Sequence, residues 1–276
     1  MQNKSNIYIY LVVFIAILLG ISLLVNRFEA RAGFRTMDEI VSTGKLRAVF
    51  ESGSLGVQIE KDSISGFQYE LLRIFADSLG VELVVSVHND LHKSIQRLKR
   101  GRYDIIAKLV PVTTEWIDDV LFTEPLFVSR QMLIQQISEN EDFSYASLSQ
   151  LITQQYQLAH ETIYIPRNSP HRMRLMHLAD EIAGTIHLLE MKNQNAEQMI
   201  SLVSEGKIRN TIAHEQLARS AARNFSNIDA SLPLSMPQAL SWVVNKQSDE
   251  LLEKLNTFLS EFIGTNEYWQ LYRKYY

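Results

Sequence analysis

In FQYELLRIFADSLGV (67–81) the apolar positions Phe67, Leu71, Leu72, Ile74, Phe75 and Leu79 fall on one face of a helix, and Gly80 supplies its stop. The run that follows, VELVVSV (81–87), is almost continuously apolar, as in a strand where helices cover a sheet. LHKSIQRLKRGRYD (91–104) repeats the amphipathic helix, stopping at Gly101, and IIAKLV (105–110) repeats the strand. Upstream, Met37–Thr43 reads as a short helix ended by Gly44, and Leu46–Phe50 as a first strand before the turn-rich ESGSLGVQIEKDSISG. Pro125 breaks an apolar segment, after which Met132–Ile137 is strand-like.

The second half alternates in the same way. SYASLSQLI (144–152) reads as a short helix, YQLAHE (156–161) and TIYIPR (162–167) as strands, and SPHRMRLMHLADEIA (169–183) as a helix. TIHLLEM (185–191) is a strand, and NAEQMISLVSEGKIRNTIAHEQLARSAARNF (195–225) gives helix, strand and helix. ALSWVVNK (239–246) is a late strand, followed by two helices around Gly264. Strand and helix alternating through short links predict an α/β fold.

One segment stands outside this pattern. Residues 7–25 are uncharged and almost wholly apolar. Nineteen residues at about 1.5 Å each make a helix of roughly 28 Å, close to the hydrocarbon thickness of a bilayer. An uncleaved membrane anchor is the expectation; a cleaved signal peptide, with small residues at Ala30 and Ala32, is the alternative. Lys4 before the segment and Arg27, Arg31 and Arg35 after it favour an inward-facing remainder by charge alone.

Composition narrows the chemistry. Net charge is −4 with no long basic run, which argues against nucleic-acid binding. Absence of cysteine excludes disulfides, thiol catalysis and thiolate metal sites. No phosphate-binding, dinucleotide or nucleophile-elbow motif occurs, and no cofactor is expected. His88 and His92 stand four apart, a spacing that fits a polar loop and helix start better than a metal site. Glu60, Glu70, Glu115 and Glu124 are candidate acids for hydrolysis only in the sense that any acid is.

The ordered phrases GKLRAVF, SGFQYELLRIFADSLGVELVVSV, LKRGRYDIIAKLVPVTTEWIDDVLFTEPLFVSRQMLIQ, EQMISLVSEGKIRNTIAHEQLA and ALSWVVNKQSDELLEKLNTFLSEFIGTNEYWQLYRKYY resemble the family-3 solute-binding proteins of the bacterial periplasm. Within that family they are most similar to the non-catalytic N-terminal domain of the membrane-bound lytic transglycosylase F group. The resemblance spans about residues 37–276. It implies a two-lobed periplasmic-binding type II clamshell preceded by one transmembrane helix: a cytoplasmic tail 1–6, anchor 7–25, linker 26–36, first lobe 37–130 and 236–276, second lobe 131–235. It also implies an N-in, C-out topology, against the charge count, with the domain in the periplasm on the inner membrane. The catalytic module of those enzymes is a separate later domain; this chain ends at Tyr276, so no catalysis is expected.

Two departures shape the expected ligand. Where amino-acid-binding members carry an arginine after the T-x-E turn, Thr113-Thr114-Glu115 is followed by Trp116. Where they carry an acid for the ligand ammonium, the phrase Thr211-Ile-Ala ends in His214. No ring occurs within Glu51–Val57 either. Loss of both anchors argues against an ordinary α-amino acid and for a small polar or muropeptide-like ligand, with a degenerate cleft serving a cell-wall or membrane protein partner as the rival. The expected ligand-binding residues are Glu51, Gln68, Tyr69, Thr113, Thr114, Trp116, Ser169, Arg172 and His214. Ser169 reads equally as the cap of a helix with proline at its first position.

Overall fold

The computed structural model describes residues 33–61, 63–137 and 151–276. The apolar segment 7–25 and most of the helix expected at 144–152 lie outside the described residues. Among the described residues, no helix is long and apolar enough to cross a membrane.

Local sequence decides the first elements. Helix α1 (Met37–Thr43) begins in a reciprocal cap: the Glu39 N–H donates to Thr36 Oγ1 and the Thr36 N–H to Glu39 Oε2, at 3.3 and 2.9 Å. It ends at Gly44, whose φ of 64° a side chain rarely adopts. Strand β1 (Lys45–Phe50) follows at once. The turn-rich stretch contains a small hairpin that its short polar strands did not betray, β2 (Gln58–Glu60) against β3 (Ser63–Ser65). Next come α2 (Phe67–Ser78), β4 (Glu82–Val87), α3 (Leu91–Lys99), β5 (Ile105–Pro111), β6 (Val120–Phe122) and β7 (Phe127–Ser129).

The chain then enters a second sheet with β8 (Gln131–Gln136). After it come a 3-10 turn at Gln155–Leu158, β9 (Thr162–Pro166), α4 (His171–Glu181), β10 (His187–Met191) and α5 (Ala196–Ser204). Strand β11 (Asn210–His214), α6 (Glu215–Asn224) and β12 (Ile228–Asp229) complete that part, and β13 (Gln238–Asn245), α7 (Asp249–Phe262) and α8 (Asn266–Tyr275) return to the first. The strand expected at 156–161 is thus replaced by the 3-10 turn, in which Gln157 Oε1 takes the backbone N–H groups of Thr153 and Gln154 at 2.9 Å each.

The first sheet runs β4-β1-β5-β13-β6, with β7 also on β13. Strands β1, β4 and β5 are parallel, while β13 is antiparallel to its neighbours. The second runs β10-β9-β11-β8-β12, with β9, β10 and β11 parallel. Both faces of the first sheet are covered. Phe50, Phe67, Phe75 and Trp242 fill one side, and Val49, Ile95, Leu98 and Ile106 the other, so β5 is buried throughout. Strand β4 does not share this: despite its apolar run it is a sheet edge and only half covered. The tyrosines of α8 pack around Phe67, as does the following Tyr276 at 5.2 Å between ring centres, and Tyr275 Oη takes the Gly66 N–H at 2.8 Å. That contact pins the start of α2.

Candidate functional site

The two sheets turn the carboxyl ends of their parallel strands toward each other, the place where open α/β sheets bind ligands. On the first lobe, Glu51 follows β1. Gly56 packs against it so closely that a Cβ would meet the Glu51 carbonyl oxygen at 2.1 Å. Next to β1, Lys108 stands in the middle of β5 with only 4% of its surface exposed. Its Nζ donates to the carbonyl of His88 and, at 2.9 Å, to Ser94 Oγ on α3. Burial pulls the Lys108 ammonium down to about 8, against the attraction of Glu51 and Asp90. Burial likewise pushes the Glu51 carboxyl up, opposed by Lys108 and reinforced by Glu197.

On the second lobe, Arg167, Asn168, Ser169 and Pro170 link β9 to α4, and His214 ends β11. Ser169 Oγ accepts the His171 N–H at 3.3 Å and its carbonyl accepts the Arg172 N–H at 3.2 Å, so it supports the helix start one residue before Pro170, the capping position. The rings of His171 and His214 lie 4.9 Å apart, edge to face. His171 Nδ1 bonds Gln131 Oε1 at 3.0 Å, and Gln131 Nε2 donates to Gln238 Oε1 at 3.0 Å. This polar chain therefore reaches both passages between the sheets, at Gln131 and Gln238. Burial holds His214 down to about 4, and burial with the neighbouring His214 holds His171 well below the usual imidazole range. Both are neutral near pH 7. His214 Nδ1 and Thr113 Oγ1 are buried without a hydrogen-bond partner among the described residues.

These groups surround two cavities on either side of Pro170. An inner one of about 80 Å³ is lined by Glu51, Lys108, Arg167, Ser169, His171 and His214, among others. An outer one of about 760 Å³ is lined by Thr113, Thr114, Trp116, Met173, Arg174 and His177 with their neighbours. Hydrogen bonds cross directly between the lobes beside them. Glu197 Oε1 accepts the Ser54 N–H at 2.9 Å and also the Ser54 hydroxyl; Asn195 Nδ2 donates to the Ser52 carbonyl at 3.0 Å, and Asn168 Nδ2 to Asp90 Oδ2 at 2.6 Å.

Residues 54–276 match the profile of the bacterial extracellular solute-binding proteins, family 3. The chain belongs to this family. It is 27% identical over 252 residues to the membrane-bound lytic murein transglycosylase F of Desulfosudis oleivorans, covering 90% of this chain and 52% of that protein. To the protein of the same name from Photobacterium profundum it is 23% identical, over 87% and 45% respectively. The chain thus spans about half the length of these relatives. Among solved structures, the P235GK mutant of ArgBP from T. maritima superposes with a TM-score of 0.69 at 20% identity, covering 86% of this chain and 97% of that one. AbpA from Streptococcus pneumoniae, bound to L-arginine, gives 0.69 at 19%, over the same shares. These likenesses establish the two-lobed α/β fold.

Within this family-3 fold the expected site residues separate into groups. Glu51, Ser169 and His214 meet at the inner cavity, and Thr113, Thr114 and Trp116 at the outer one. Trp116 stands edge-on to His92 at 4.8 Å and packs on the α3 side of the core. Gln68, Tyr69 and Arg172 are placed elsewhere. Gln68 is wholly buried, its Oε1 accepting the Trp242 indole N–H at 2.5 Å, because the second position of α2 faces the core rather than the cleft. Tyr69 packs on the same core, edge-on to Phe50 at 6.2 Å, and Arg172 points outward to Glu190 at 3.0 Å. His88 and His92 turn to different partners, the Asp90 N–H and the Trp116 ring.

Lys108, His171, Asn195 and Glu197 were not anticipated. Lys108 had a signal: a lysine inside an otherwise apolar six-residue strand is a buried charge, and a buried charge needs a reason. The cleft therefore carries charge on its first-lobe wall, although Trp116 and His214 stand at the two positions where the resemblance implies the charged groups of an amino-acid clamp.

Proposed function

We propose that this chain is a solute-binding module that closes its two lobes on a small polar ligand, for sensing or local regulation rather than catalysis. The observation that carries the reading is the inner cavity, walled by polar groups of both lobes and flanked by direct hydrogen bonds between them. Ligand would enter with the lobes apart, and closure would be favoured only as far as the ligand prefers the closed form. Residues 7–25 would tether the module to the inner membrane with its lobes in the periplasm. The matched relatives are named as murein transglycosylases, which supports a cell-wall fragment as ligand and a cell-wall enzyme as neighbour. The outer cavity, with Trp116 on its wall, would accommodate the larger part of such a fragment. The solved neighbour bound to L-arginine supports an amino acid or a piece ending in one.

A second reading, a protein-interaction module with a reduced cleft, is favoured by the small inner volume and by lobe-to-lobe bonds made entirely from the protein's own groups. The test is the melting temperature of the detergent-solubilised full chain against amino acids, muropeptides, short peptides and sugars. A ligand selective for the folded form raises it in a concentration-dependent way. A rise confined to one class supports solute binding. A flat panel at millimolar concentrations favours the interaction module.

A further inference from the structure

Lys108 is a buried cation without a bonded counter-charge. An ammonium carries three donors; two are taken inside the first lobe by the His88 carbonyl and Ser94 Oγ. None of the ion pairs among the described residues includes it. Of the two carboxyls that attract it, Asp90 is already engaged, capping α3 through the Lys93 N–H at 3.0 Å and accepting from Asn168 at 2.6 Å. The other, Glu51, is itself driven toward its neutral form by burial. A charge left this way weakens the fold unless something compensates it. Lys108 also lines the inner cavity, and the second lobe brings to that cavity an orphaned buried polar atom, His214 Nδ1.

Resting on the solute-binding reading, we propose that Lys108 is the anion anchor of the interlobe cavity. The ligand presents a compact carboxylate, whose oxygens take the remaining N–H of Lys108 from one lobe and the Nδ1–H of His214 from the other. Such a bond is charge-assisted and made to both lobes only when they are together, so the anion itself joins them. The anchor stands on a strand of the first sheet rather than after the turn at Thr113-Thr114-Glu115, where Trp116 leaves no cation. Glu51, beside it, is placed to accept a donor group on the same ligand.

The test uses pairs of probes matched in size and differing in charge: acetate and acetamide, L-lactate and L-lactamide, L-alanine and L-alaninamide. Each is titrated calorimetrically into the full chain and into Lys108→Met and Lys108→Arg. At least one acid is expected to bind the wild type tenfold or more tightly than its amide. Lys108→Met should lose that acid's affinity at least tenfold and erase the distinction, whereas Lys108→Arg should retain part of it. The ligand-free melting temperature of Lys108→Met should stay at or above that of the wild type, because a buried charge has been removed; this separates a lost anchor from a lost fold. Equal binding of acid and amide, or undiminished acid binding by Lys108→Met, overturns the anchor and leaves solute binding standing. Absence of binding by all three acids also overturns it, while the wider ligand panel continues to judge the module's function.

Discussion

The first lobe faces the inner cavity with Glu51 and Lys108, both set in or beside parallel strands of a sheet covered on two faces; the second faces it with two neutral imidazoles, a hydroxyl and two amides. Its one cation there, Arg167, is an exposed residue. The anchoring differs as well. Lys108 is held by bonds within its own lobe, so its position does not depend on where the other lobe stands. His171 is held through Gln131 to Gln238, at the two passages between the sheets, so its setting is tied to the crossings about which the lobes would move. Under the proposed binding function, a charged wall built in advance would supply attraction, and the imidazoles coupled to the crossings would respond to closure.

The neutrality of the second wall is the part most easily broken. His214 ionises at about 4 in the folded protein against 6.5 for an ordinary imidazole. The unfolded state therefore binds more protons throughout that window, and stability falls as pH drops from about 6.5 toward 4. For His214 alone the loss is roughly 2 kcal/mol between pH 7 and 5, and His171 adds to it in the same direction. Urea denaturation at the two pH values should show stability falling toward pH 5, and His214→Gln should reduce that fall by roughly 2 kcal/mol. The raised Glu51 carboxyl works in the opposite direction over the same window, so the difference between wild type and His214→Gln is the decisive reading: the same pH slope in both would mean that His214 titrates normally and that the second wall carries its charge at mildly acid pH.

How much of this contrast is legible in the sequence depends on the length over which each signal extends. The helical period around Leu71, Leu72 and Phe75 places α2 because one face recurs over several turns and Gly80 ends it. Gln68 and Tyr69 stand at the mouth of that helix, and their direction is set by the phase of its first turn, which periodicity does not resolve. The hairpin around Ile59 and Ile64 is too short and too exposed to show a period at all. The inner cavity is the least legible feature. It joins Glu51, Lys108, Ser169 and His214, residues distant in sequence whose meeting is decided by strand order. Only Lys108 declares itself locally, as the one charge in an apolar strand.

A smaller effect would sharpen the division between the walls at their rim. The Glu197 carboxylate takes both the N–H and the hydroxyl of Ser54, two charge-assisted bonds across the cleft. Glu197→Ala should shift the lobes toward separation by about 1–2 kcal/mol while leaving each lobe's core untouched. Because the chain has no cysteine, paired spin labels at Glu253→Cys and Lys207→Cys report the distance between lobes without background. A broadened, longer distance is expected in Glu197→Ala. An unchanged distribution would place the hold on closure in the Ser52–Asn195 and Asp90–Asn168 bonds instead.

The smallest effect is expected at Arg172, and its smallness is informative. Arg172 lies in the first turn of α4, one residue beyond His171, and was a natural ligand contact on sequence grounds. Its guanidinium instead meets Glu190 at 3.0 Å, with half of its side chain in solvent. Such a pair contributes about 0–1 kcal/mol and is screened by salt. Arg172→Ala should therefore change the melting temperature little and leave the affinity for any ligand of the inner cavity within about twofold, well under 1 kcal/mol. Calorimetric titration at low and high salt checks both points. A tenfold loss of affinity would give the second wall a cation that holds the ligand, and the cleft would then grip it by charge from both sides rather than from the first lobe alone.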